Sequence, residues 1–205
     1  MYLIKTPEIL KRLYPRQIWS LPENQKKLYL TFDDGPTPSI TEWTLQTLKQ
    51  YNAKSTFFIV GQNAERHPEI INKIKNEGHA IGNHTYKHLN GWNTSTNSYI
   101  KDILKCDKIV ESKLFRPPYG RITKGQTSMM VKRYKVIMWD VLSGDFDRTI
   151  SKDRCLKNVL ENTQSGSIIV FHDSVKAADR MQYALPRVLE YYSKKNYSFS
   201  LLSAN

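Results

Sequence analysis

Two adjacent carboxylates, Asp33 and Asp34, close the apolar run of "LYLTFDDGPTP", residues 28–38. Asp-Gly is ordinary turn chemistry. Yet two like charges at the end of a strand repel each other, and each costs free energy unless a cation or a hydrogen-bond donor receives it. His84 and His88 stand four residues apart in "HTYKH". On one helical turn, side chains at that spacing point the same way and reach one metal ion. Imidazole suits zinc and related divalent ions. A carboxylate from the Asp pair would complete a His-His-Asp set with an open position, the pattern of a hydrolytic metal site. One aspartate would then bind the ion while its neighbour takes a proton from a metal-activated water. Arg116 is placed to balance and orient that second carboxylate. His172 could protonate a leaving group, with Asp145 holding its ring and raising its basicity.

The elements that must position these groups follow a regular pattern. Strand-like runs occur at Leu28–Phe32, Lys54–Val60, "HAIGNH", "LF" before Arg116, "KVIMW", "SIIVF" and "YSFSLL". Helical patterns lie between them: Ile40 to about Tyr51, with a Ser39–Glu42 capping box; the stretch opened by Pro68 and closed by Gly78; and the amphipathic stretch carrying Tyr99, Ile100, Ile103 and Leu104. Further helices are predicted for Thr123 to Arg133, from the Ser151 cap to about Gln164, and from about Met181 to Lys195, where Pro186 should shift the start or kink the axis. About seven strands alternating with helices predict an α/β fold of mainly parallel strands. The pattern fits an open doubly wound sheet and a (β/α) barrel equally. Asp33 and Asp34, His84 and His88, Arg116 and Tyr119, Asp140 and Asp145, and His172 and Asp173 all fall just after strands. Parallel strands bring their C-terminal ends to one face, where α/β proteins carry their sites.

The 205 residues suit one domain with a real core. With 31 basic and 19 acidic residues the net charge is +12. No nucleic-acid-binding motif accompanies that charge, and the lysines are spread over many predicted helices, so no nucleic-acid partner is expected. No apolar run approaches a membrane span. Pro7 and several charges break the start of the chain, which does not read as a signal peptide. Cys106 and Cys155 lie far apart in helical patterns and read as buried free thiols.

Together, "TFDDGP", "HTYKH", "RPPYG" and "VFH" resemble the motifs of the polysaccharide deacetylase family, the NodB-homology domain of carbohydrate esterase family four. "KSTFFIVG" and "GHAIGNH" resemble its connecting segments. The resemblance runs from about Leu28 to Leu202, with residues 1–27 as an N-terminal extension packed on a catalytic domain of residues 28–205. It implies a distorted (β/α) barrel of about seven parallel strands and metal-dependent removal of N- or O-acetyl groups from chitin-oligomer, peptidoglycan or xylan-type glycans. By that resemblance Asp33 is the general base, and Asp34, His84 and His88 are the metal ligands. Arg116 orients the base, the Tyr119 backbone N–H helps hold the oxyanion, and His172 is the general acid partnered by Asp145. Two positions depart from the family pattern. Asp145-Phe146 replaces an Asp-Trp pair, which alters the aromatic wall near substrate. Val170 replaces a Leu beside the pocket for the acetyl methyl group. Pro118 and Trp139 complete the expected substrate-binding set.

The expected cofactor is one divalent ion, zinc first, with cobalt or nickel as substitutes. The expected partner is an acetylated glycan, with the protein acting as a monomer. Trp92 in "NGWNTST" sits either on a sugar-contacting loop or on a plain surface loop. Two other functions compete: hydrolysis of another C–N bond, such as a cyclic imide, and a catalytically silent glycan-binding module. A binding module needs no Asp33, Asp34, His84, His88 and His172 set. The cellular location is open: cytoplasmic by the chain's start, envelope or extracellular by the resemblance.

Overall fold

The structure is a computed structural model that describes residues 2–203. Its strands are β1 (Gln17–Ile18), β2 (Lys27–Asp33), β3 (Ser55–Ile59), β4 (Ala80–Asn83), β5 (Leu114–Phe115), β6 (Lys135–Ile137), β7 (Val141–Leu142), β8 (Ile168–His172) and β9 (Ser198–Phe199). Its helices are α1 (Glu8–Leu13), α2 (Ile40–Gln50), α3 (Gly61–Arg66), α4 (Pro68–Asn76), α5 (Thr96–Val110), α6 (Lys124–Met130), α7 (Lys152–Leu160) and α8 (Ala178–Lys194). All paired strands are parallel, in the order β1-β6-β5-β4-β3-β2-β8-β7, with β9 added to β2.

The last two positions of that order explain the shape. β6 pairs with β5, and β7 pairs with β8 at the far end, yet only Met138, Trp139 and Asp140 separate β6 from β7 in the chain. One broken strand therefore closes the sheet on itself, giving a distorted (β/α) barrel. The N-terminal segment lies along the break. β1 pairs with β6, the Met138 amide donates to Ile18 O at 2.7 Å, and the Leu142 amide donates to Ile4 O at 2.8 Å.

Strand periodicity divides the side chains between two layers. Leu28, Leu30 and Phe32 of β2 pack with Phe57, Ile59, Ile169 and Phe171 beneath α2 and α8. The alternate residues face the barrel axis, where Tyr29, Phe58, Leu114, Ile137 and Ile168 form a second cluster. Asp33 and His172 continue that inward-facing set at the C-terminal end.

All seven expected strands are present, and β1 and β7 are additional. The short helix α3 was not expected; it follows β3 after the single residue Val60. α6 and α7 end at Met130 and Leu160, earlier than the sequence pattern suggests. α8 begins at Ala178 rather than Met181 and runs through Pro186. Cys106 and Cys155 are free and buried. Asp140 does not join the functional face. At the strand break its carboxylate turns to the N-terminal segment, accepting from Lys5 at 2.6 Å, Lys11 at 2.9 Å and Ser167 at 2.5 Å.

Candidate active site

Asp33 ends β2 with only 3% of its surface exposed. Its Oδ1 accepts from Arg116 Nη1 at 2.7 Å. Arg116 follows β5 and is fully buried. The same Nη1 donates to Thr31 Oγ1 at 2.7 Å, Nη2 to Met138 O at 2.9 Å and Nε to Ile137 O at 3.3 Å, while the guanidinium lies 4.1 Å from the Phe58 ring centre. A buried guanidinium is tolerable because a carboxylate and carbonyls receive its donors. Those contacts also fix the Asp33 carboxylate in one position.

Asp34 has φ of 78°, a left-handed conformation open to Asp more readily than to most residues. The turn frees its carboxylate from strand alternation, and Asn63 Nδ2 holds its backbone carbonyl at 2.8 Å. Gly35 follows because a Cβ there would lie 2.1 Å from Asp173 Oδ2. Asp173 is buried under this loop, accepts from Thr41 Oγ1 at 2.5 Å, and donates its amide to Asp33 O at 3.2 Å. Burial pushes its carboxyl up to about 7. Asp173 thus braces the loop from below.

His84 and His88 follow β4, but not on a helical turn. The segment between them is a loop with Thr85 at φ 64° and His88 at φ 56°. Asp102, on α5, ties it down: its Oδ2 accepts the Tyr86 amide at 2.8 Å and the Lys87 amide at 3.0 Å. Asn83 Oδ1 takes the Thr85 amide and Thr85 Oγ1 takes the Leu89 amide. The imidazoles end 5.1 Å apart between ring centres.

One ligand atom from each of Asp34, His84 and His88 lies within 4.8 Å of the others. Asp34 Oδ1 is 3.0 Å from His88 Nε2 and 3.7 Å from His84 Nε2. His84 Nδ1 lies 2.8 Å from Arg116 O. A carbonyl only accepts, so that nitrogen carries the proton and Nε2 presents its lone pair. Burial pushes the His84 imidazole down to about 4. Burial alone would raise Asp34, but the His88 hydrogen bond and the His172 charge outweigh it and hold its carboxyl well below the usual range. A neutral imidazole and an ionised carboxylate are the states a cation requires. The donor set therefore fits a divalent ion.

Across the face, His172 ends β8 and its Nδ1 lies 2.7 Å from Asp145 Oδ1. Burial alone would lower the His172 pKa; the Asp145 charge and hydrogen bond, then Asp34 and Asp33, raise it to about 10. Phe146 lies edge-on to the His172 ring at 5.1 Å, with Tyr2 on it at 5.1 Å. Arg180 Nε donates to Asp145 O at 2.7 Å and steadies this turn. Val170 sits one strand step below His172 and is fully buried.

Pro118 is buried and Tyr119 is 60% exposed at the mouth, with φ of 60°. The Tyr119 hydroxyl lies 3.1 Å from His88 Nδ1, and the two rings are 4.7 Å apart. Trp139 lies against Gly120, where a Cβ would come within 2.6 Å of the indole. The structure brings Asp33, Asp34, His84, His88, Arg116, Tyr119, Asp145 and His172 together at the C-terminal ends of the strands, while Asp140 and Asp173 turn to other partners. Asp102, Asn63 and the Tyr119 hydroxyl were missed. Asp102 had a readable signal: an acid three residues from Tyr99, on the buried stripe of α5. Asn63 had none.

The fold agrees with the comparisons to known proteins. The family described as Polysaccharide deacetylase matches residues 20–134. A peptidoglycan-N-acetylglucosamine deacetylase of Bacillus cereus is 39% identical over 163 residues, covering 76% of this chain and 59% of its own length. Another from the same species is 33% identical over 192 residues and covers 90% of each chain. The second match therefore extends beyond the family's matched range, toward the end of the barrel. A solved peptidoglycan N-acetylglucosamine deacetylase, bound to a naphthyl-substituted N-hydroxybenzamide, superposes with a TM-score of 0.88 at 34% identity. It covers 96% of this chain and 95% of that one. Among the described residues no helix is long and apolar enough to cross a membrane. With sequence, fold and donor set in agreement, this chain belongs to the polysaccharide deacetylase family, a family of metal-dependent carbohydrate deacetylases.

Proposed function

We propose that this chain removes N-acetyl groups from an amino-sugar glycan of the peptidoglycan or chitin-oligomer type. The observation that carries the reading is the pair of acid–base groups on either side of the donor set: Asp33 held by Arg116, and His172 held by Asp145. The names of the relatives, peptidoglycan and chitooligosaccharide deacetylases, support the substrate class.

In this reading Asp34, His84 and His88 hold one divalent ion. Two imidazoles and a carboxylate suit zinc, with cobalt and nickel as substitutes. When bound, such an ion supplies Lewis acidity toward water and toward the acetyl carbonyl. Asp33 takes the proton from the attacking water, and Arg116 keeps its carboxylate aimed. The Tyr119 backbone N–H donates to the developing oxyanion. His172 gives a proton to the departing amine, and Asp145 fixes which ring nitrogen faces it. Phe146, Trp139 and Pro118 wall the mouth, and Val170 supports its floor. We take residues 2–27 to fold as one unit with the barrel they border.

The test is purified protein loaded in turn with zinc, cobalt and nickel, assayed on acetylated chito-oligomers, peptidoglycan and acetylxylan. Release of acetate from the first two, abolished in His84→Ala together with tight metal binding, is the expected result. Activity on none of the three, or full metal affinity in His84→Ala, would overturn the reading.

A further inference from the structure

Two chain segments leave the candidate site side by side. One runs from His88 to Trp92, the other from Tyr119 to Ile122. The Gly91 amide donates to Arg121 O at 3.1 Å, and Trp92 Nε1 donates to Ile122 O at 3.2 Å. Gln126, buried on α6, donates through Nε2 to Gly91 O at 2.9 Å and Thr94 O at 3.2 Å, and Asn90 Oδ1 accepts the Trp92 amide at 3.0 Å. Five hydrogen bonds therefore fix the segment from Gly91 to Thr94, including the one polar atom of the indole.

The ring so fixed is not buried. Trp92 is 62% exposed, and the segment that receives its indole N–H begins at the 60% exposed Tyr119. An exposed large aromatic is unremarkable when its side chain is free to move. Here the indole N–H is satisfied by backbone, so the ring cannot turn away without losing a hydrogen bond. The exposed Arg121 guanidinium lies 5.2 Å from the indole centre. Arg121 is two residues from Tyr119, and Trp92 is four from His88. Chain reach of roughly 3.3–3.6 Å per residue limits that separation to about 14 Å, the scale of a few linked sugars.

We propose that Trp92 and Arg121 form a glycan subsite. It takes a pyranose ring of the same polymer, one or two units from the acetylated sugar. The C–H face of the sugar stacks on the indole, and the guanidinium donates to its ring substituents. An immobilised aromatic surface with an adjacent donor fork binds at low entropic cost. This subsite rests on the carbohydrate reading above and adds a chain-length requirement to it.

The experiment compares wild type with Trp92→Ala, Trp92→Phe and Arg121→Gln, all metal-loaded. Three quantities are read: KM for tetra-N-acetylchitotetraose, turnover of 4-nitrophenyl acetate, and binding of fully deacetylated chitotetraose by calorimetry. Trp92→Ala should raise KM for the tetramer and the Kd of the product by roughly 2–13-fold, the loss of one aromatic contact. The small ester and the metal content should be unaffected. Trp92→Phe keeps a stacking face and should recover most of the affinity, while Arg121→Gln should lose less than Trp92→Ala. Equal losses on ester and tetramer would overturn the subsite, as would unchanged product binding in Trp92→Ala. Product binding needs no turnover. If wild type bound the product through Trp92 yet released no acetate, the subsite would stand and the catalytic reading would fall.

Discussion

The His172 side chain and its own backbone share one carboxylate: Asp145 Oδ1 lies 2.7 Å from His172 Nδ1, and Asp145 Oδ2 accepts the His172 amide at 2.7 Å. Both oxygens are committed, so the carboxylate cannot rotate away and the ring cannot flip. The raised His172 pKa of about 10 follows mainly from Asp145. A general acid works only while protonated, so activity should fall on the alkaline side as His172 loses its proton. Asp145→Asn removes the largest raising influence and should move the alkaline limb of kcat/KM to lower pH. Asp140→Asn and Asp173→Asn should move it less, because their carboxylates contact Lys5, Lys11 and Thr41 instead. An unshifted limb in Asp145→Asn would separate this pair from proton transfer.

Asp33 and Asp34 are adjacent in sequence but have different partners, and substitution should split their roles. Asp33→Asn keeps the shape that Arg116 grips and should leave metal affinity near wild type. Rate should fall about 10²–10⁴-fold, the usual contribution of a positioned base. Asp34→Asn should lose metal as well as rate. Parallel titrations of metal content and single-turnover rate check both. Near wild-type kcat in Asp33→Asn would remove it from the role of base.

The groups that gather at the mouth were legible because their types are unusual at strand ends and because parallel strands send those ends to one face. Three features were not legible, each for a local reason. The four-residue spacing of His84 and His88 fits a helical turn, yet two left-handed residues and the distant Asp102 carboxylate produce the same convergence from a loop. "KVIMWD" reads as one strand that delivers Asp140 to the functional face. The break after Ile137 lets the chain change strand partners and turns Asp140 toward the N-terminal segment. β1 and β7 are two residues long, too short for any alternation to show.

Tyr119 is an expected positioning group for the metal site. If His88 Nε2 is to present a lone pair, the ring proton must sit on Nδ1, and the acceptor 3.1 Å away is the Tyr119 hydroxyl. Tyr119→Phe keeps the ring contact and deletes that acceptor. Chelator competition should show metal affinity reduced about 10–100-fold, the usual effect of losing a partner of a ligating histidine. The far-UV and thermal unfolding profiles should be unchanged, since Tyr119 is largely exposed. Unchanged affinity would restrict Tyr119 to its backbone N–H and its ring.

Asp140 ties the N-terminal segment to the strand break, and its stability effect should depend on both lysines. The carboxylate is fully buried, and burial alone would raise its pKa; Lys5, Ser167 and Lys11 together lower it. Lys5→Met or Lys11→Met leaves one cation in place and should cost about 1.5–3 kcal/mol, the range for a hydrogen bond to a charged group. The double variant leaves the buried carboxylate with no cation among these partners and should cost roughly 3–5 kcal/mol or more. The pH dependence has a definite sign. A carboxyl lowered in the folded state contributes stability that is present above its unfolded pKa of about 3.9 and is lost as pH falls through the lower folded value. The gap between wild type and the double variant should therefore be widest near neutrality and shrink as pH falls from the variant's burial-raised folded value toward the lower wild-type one. Urea unfolding at pH 7 and pH 3 measures it. A gap that persists undiminished at pH 3 would show that the lysines contribute by packing their stems along the break rather than by meeting the Asp140 charge.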